Sequence, residues 1–147
     1  MSWWDKVELF LVLSYVALYA TLGLQGFWEG YFAKGLRSLP RVLAEEGVSW
    51  GVFVAELSAF PLACAGMLLY SSEVDHPTLH GVWKIVILLL LSLFPFEWVH
   101  HYRQFVREPD ARLTTKQMSE AGVLFAVATS VFELPCLWMN FRIAFPG

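Results

Sequence analysis

Residues 52–70 read VFVAELSAFPLACAGMLLY. The run is long and apolar enough to cross a bilayer, whose hydrocarbon core of about 30 Å takes about twenty helical residues. Yet it holds a carboxylate, Glu56, and a helix breaker, Pro61. A charged side chain at that depth costs about 3 kcal/mol or more on insertion scales, so it faces a partner, a cavity or a ligand. Two later runs repeat the pairing, with Pro95 beside Glu97 and Glu133 beside Pro135.

Apolar runs of spanning length predict helices over about 5–28, 50–70, 82–102 and 118–141, within a single domain covering 1–147. The expected fold class is an all-α integral membrane protein, a four-transmembrane-helix bundle. The chain is 57% hydrophobic, whereas soluble domains lie at about 45–50%. A net charge of −3 leaves no basic surface, so no nucleic-acid partner is expected. The opening MSWWDK carries no net positive charge and no small-residue cleavage site follows, so the first run is read as a retained span. Cys64 and Cys136 both fall inside apolar runs and are read as small reduced core residues.

The links are short. Residues 31–49 carry Lys34, Arg37 and Arg41, and Pro40 is expected to open a brief interfacial helix closed by Gly47. Asp75-His76-Pro77 and Glu108-Pro109-Asp110 read as turns, and Thr114 or Thr115 as the cap of the last helix. Links one and three also hold Arg103, Arg107, Arg112 and Lys116, against Lys6, Lys84 and Arg142 on the other side. The positive-inside rule then predicts a multi-pass protein with both termini non-cytoplasmic.

Depth is the informative quantity. Glu29 ends the first helix, sharing a face with Gln25 four positions earlier, while Gly26 and Gly30 allow a close helix approach. Glu56 lies about 9 Å past Trp50, Glu97 at a similar depth before Tyr102, and Glu133 deeper in the fourth helix. His100 and His101 follow Glu97 within one turn. Polar groups from all four helices are thus expected in one half of the membrane. Each proline removes a backbone hydrogen bond, so Pro61, Pro95 and Pro135 should free the carbonyls of Leu57, Leu91 and Val131 and splay the helices. Carboxyls in such places either tie the bundle together by interhelical hydrogen bonds or face a ligand. Trp28, Trp50, Trp98 and Trp138 either line that site or anchor the helices at the interface. Glu8 lies at the rim and is expected to reach water.

The expected ligand-binding set is Gln25, Glu29, Glu56, Glu97, His100 and Glu133, with Glu56 and Glu29 the candidates for acid–base chemistry. Haem needs histidines facing across helices at one level. His76 and His80 lie at the far end of the third helix from His100, so no metal and no cofactor is expected.

The layout resembles the EXPERA superfamily, which includes the sterol isomerase called emopamil-binding protein and the sigma-two receptor. The resemblance rests on Gln25-Gly26-Phe27-Trp28-Glu29-Gly30 in the first helix, Glu56 followed by Pro61 in the second, Glu97 before His100 in the third, and Leu134-Pro135 in the fourth. Gln25 stands where the isomerase pattern has a histidine. The resemblance implies an intramembrane pocket for a sterol-like or amphiphilic ligand, and isomerase-type acid–base chemistry in an enzymatic form. The expected partners are membrane lipids and a hydrophobic small molecule. An alternative from another class is a non-catalytic accessory subunit of a larger membrane complex, redox or photosynthetic, contacting other membrane subunits.

Overall fold

The computed structural model describes residues 1–107 and 113–146, with the side chains of 104, 106 and 107 left aside. Helix α1 covers Trp3–Phe27 and continues as a π-helical turn, Trp28–Phe32. A short 3-10 turn, Leu36–Ser38, leads into α2, Leu39–Glu46. The remaining helices are α3, Trp50–Ser71, α4, Pro77–Arg107, and α5, Thr115–Ala144. The described residues are all-α, and four of the helices among them are long and apolar enough to cross a membrane.

Local chemistry sets the ends. Ser2 and Asp5 form a reciprocal capping box on α1, as Thr114 and Gln117 do on α5. Ser49 caps α3 by accepting from the Val52 amide. Gly47 closes α2 at φ 68°, a left-handed conformation that costs glycine nothing. Helix α4 starts at Pro77, ahead of the expected 82, because proline in a first helical turn lacks only an amide that would be unpaired anyway. It also runs on past 102. The turn expected at Glu108-Pro109-Asp110 lies outside the described residues.

Helix α3 is the hub, packing on α1, α4 and α5, while α4 and α5 form the most extensive pair. Val16, Ala63, Met67, Cys136 and Met139 make the central core. Trp83, Val86, Ile87, Ile143 and Ala144 fill the α4–α5 end near the termini. At the opposite end α2 lays Leu39, Val42 and Leu43 against Tyr31 and Phe53.

The prolines sit inside the helices, as the sequence leads one to expect. Helices α3, α4 and α5 stay continuous through Pro61, Pro95 and Pro135, whose rings are exposed on the outer surface. A ring on the outer face disturbs its helix without intruding on the core. Near Pro135 the loosened turn is used: the Tyr15 hydroxyl donates to the Phe132 carbonyl, one position from the carbonyl expected to be free. Gly26 is not a point of close helix approach. A Cβ at Gly26 would meet nothing, whereas at Gly23 it would strike the Phe60 ring, and at Gly66 the Asn140 amide and Trp83 indole.

Candidate functional site: a carboxyl cluster between four helices

Glu97 of α4 and Glu133 of α5 bring their side chains together, and Glu56 of α3 lies on the same side of the bundle. The carboxyl of Glu97 lies close enough to that of Glu133 to interact with it, and Glu56 lies farther off, within electrostatic reach of Glu97. The antiparallel register, marked by Trp83 with Asn140 and Tyr102 with Ser119, would set Glu97 and Glu133 about two turns apart. Side chains tilt toward the N-terminus of their own helix, and here the helices run in opposite senses. The two carboxyls therefore lean toward each other.

Aromatic residues close the cluster from both ends. Tyr31, in the π-helical turn, places its hydroxyl 3.4 Å from Glu56 Oε2. Its ring stacks on His100 at a centroid distance of 6.1 Å and an angle of 13°. On the other flank, Tyr19 stacks against Phe60 and Phe132 and brings its hydroxyl to the Cys136 thiol. Both cysteines are free thiols. A π-helical turn offsets the side chains that follow it, and such turns concentrate at functional positions.

Gln25 and Glu29 stand apart from this group. They hydrogen-bond each other at 3.1 Å on an exposed face. Phe27 and Tyr31 occupy the inward stripe of the same segment, and residues two positions away on a helix project nearly opposite. Glu29 instead lines a recess of about 450 Å³ together with Tyr31, Lys34, Glu46, Phe105 and Phe125. That recess touches the cluster through Tyr31; Glu97 and Glu133 do not line it. Trp28, Trp50 and Trp138 are exposed on the outside, the placement of interface anchors, and Trp98 stacks on Tyr102. Glu8 is exposed, beside a second recess near the termini.

Sequence reasoning passed over Asn140 and Trp83. Asn140 is 0% exposed. It accepts from the Trp83 indole at 2.9 Å and donates to the carbonyls of Ala63, at 3.2 Å, and Cys136, at 2.8 Å. One amide thus ties α3, α4 and α5 together. The available signal was an asparagine inside an apolar run, four positions after a cysteine.

Ion pairs among the described residues sit at the surface: Arg41 with Glu45 and Lys116 with Glu120, while His80 pairs with Asp75 as an ion only when its ring is protonated. No lysine or arginine among the described residues pairs with Glu56, Glu97 or Glu133. Also among the described residues, no group of three or more His, Cys, Asp or Glu side chains is placed to hold a metal ion. What the arrangement offers is a patch rich in acceptors and walled by aromatics, able to hold a hydroxyl or cationic group or to pass a proton. No protein-family model, no curated protein and no solved structure matches the chain.

Proposed function

We propose that the chain is a membrane protein that binds a hydrophobic ligand, sterol-like or amphiphilic, with its polar end at the carboxyl cluster. The observation that carries this reading is the pairing of Glu97 with Glu133 from two helices, with Glu56 of a third within electrostatic reach and no lysine or arginine partner among the described residues. Carboxyls at membrane depth are costly unless something uses them. Tyr31 and His100 give the site further polar atoms, and the recess beside Tyr31 offers a way in from the α2 end. In an enzymatic form, a proton would pass between a carboxyl and a ligand double bond, the isomerase-type chemistry that an EXPERA-like protein would perform. The distribution of lysine and arginine supports an orientation with links one and three cytoplasmic and both termini on the other side.

The test is to purify the full chain in mild detergent and identify by mass spectrometry the small molecules that accompany it. A hydrophobic molecule present with the wild type and lost with Glu56→Gln supports the reading. A clean protein with no such molecule, still folded, overturns it.

One observation favours the second reading, an accessory subunit. The spanning window of α1 is only 6% buried, against 22–28% in the other helices. That helix leaves most of its surface to lipid or to a neighbouring subunit. Co-purification of a stoichiometric membrane partner that is released by polar substitutions at Leu11 and Leu18, both exposed on α1, would support this role.

A further inference from the structure

His80 lies one turn into α4, at the opposite end of the bundle from the Tyr31–His100 pair. Its Nδ1 is 2.7 Å from the carbonyl oxygen of Ile143 in α5, and its Nε2 is 2.6 Å from Asp75 Oδ1 in the link before α4. Both neighbours are acceptors: a carbonyl cannot donate, and an ionised carboxylate cannot either. A neutral imidazole has one N–H, so it would satisfy one oxygen and turn a lone pair on the other. Only the imidazolium donates to both.

We propose that His80 is a proton-operated clasp that holds residues 72–76 to the last turn of α5 and so fixes one wall of the recess near the termini. That recess, of about 740 Å³, is lined by Asp75, His80 and Ile143 among others. The remaining hydrogen bonds of the link, among the described residues, are local. Ser72 bonds back to Leu68, and His76 accepts from the Thr78 amide. Glu73 is held at φ 54°, a conformation that side-chain-bearing residues rarely adopt. A segment so weakly held and locally strained leans on this tie to α5.

The surroundings suit a cation. Asp5 and Glu8 on α1 and Glu73 on the link line the same recess, with Arg142 of α5. Lys84 of α4, one turn on, opposes the cation, its ammonium lying over the Phe145 ring. The sign follows from the donors. The clasp is complete while the ring carries both protons, and it loses one of its two bonds as pH rises and the ring becomes neutral.

The experiment is limited cleavage after Glu73 by a glutamate-specific protease, on the full chain in lipid nanodiscs across a pH series. Rates are normalised to a free peptide of the same link. The normalised rate should rise at least tenfold from the acidic to the alkaline end. His80→Ala should cleave fast throughout, with no pH dependence. Asp75→Asn should cleave slowly throughout, because an amide can accept from an N–H or donate to a lone pair. A flat wild-type profile, or a slope retained in His80→Ala, overturns the clasp. Should His80→Ala not fold, nitrogen-15 spectra of the histidine rings decide on the wild type, with Asp75→Asn identifying His80. Two protonated ring nitrogens under slow-cleavage conditions support the proposal, and one overturns it.

Discussion

Glu97 on α4 and Glu133 on α5 bring their carboxyls together across about two turns of helical register, because each side chain leans toward the other's level. The contact makes each acid the other's partner. Replacing one of them by leucine should leave the survivor half-buried and unpaired, at a cost of about 1–3 kcal/mol. Replacing both should cost less than the sum of the two single changes, since no orphan remains. A double-substitution cycle on Glu97→Leu and Glu133→Leu, read by detergent-induced unfolding, checks this. Additive costs would mean that the two side chains do not interact.

Asn140 should matter more to stability than its single amide suggests. Asn140→Leu removes the Trp83 and Ala63 bonds at once. Interhelical hydrogen bonds in membrane proteins contribute about 0.6 kcal/mol on average and about 1.7 at most. A loss of about 1–2 kcal/mol is expected, with Trp83→Phe reproducing part of it. The measurement is again unfolding in detergent, and the two substitutions should be non-additive.

The glycines give a graded series. Gly26→Ala should be close to neutral, as nothing lies near the added methyl. Gly66→Ala should be the most damaging, since the methyl would occupy the space of the Asn140 amide and push α3 from α5. Overpacking of this kind costs about 1–3 kcal/mol. Gly23→Ala should fall between, and shrinking Phe60 to leucine should recover most of its loss. Thermal unfolding midpoints in one detergent give the order.

Much of the architecture is written in the sequence, and the reason is physical. Spans in lipid need long unbroken apolar runs, so the four long helices stand out; Thr114 marks the cap of the last, and Gly47 the stop of the short α2. The depth of Glu56, Glu97 and Glu133 could be counted from the helix ends. Rotation could not. A spanning helix meets lipid on one side and an apolar core on the other, so hydrophobicity does not tell the two faces apart. Sequence alone therefore groups Gln25 and Glu29 with the cluster, although Phe27 and Tyr31 claim the inward stripe. For the same reason Tyr15, Tyr19 and Tyr31 read as ordinary aromatics until the helices are assembled. The π-helical turn that aims Tyr31 leaves no mark in composition at all.

Tyr31 separates ligand contact from packing. Tyr31→Phe keeps the ring against His100 and Phe53 and deletes only the hydroxyl facing Glu56. Stability should change by less than about 1 kcal/mol, the typical net worth of one hydrogen bond. Retention of the co-purifying hydrophobic molecule should fall by several-fold, and by more in Glu56→Gln. Equal retention in all three proteins would remove both groups from the site.

The most direct measurement is to map where a hydrophobic ligand sits. The wild-type chain in nanodiscs is photolabelled with a diazirine-bearing sterol, digested, and sequenced by mass spectrometry. The account predicts labels on the peptides carrying Glu56, Glu97 and Glu133, competed by the unmodified sterol and lost in Glu56→Gln. Labels confined to the outward faces of the helices, unaffected by competitor and by Glu56→Gln, would contradict it.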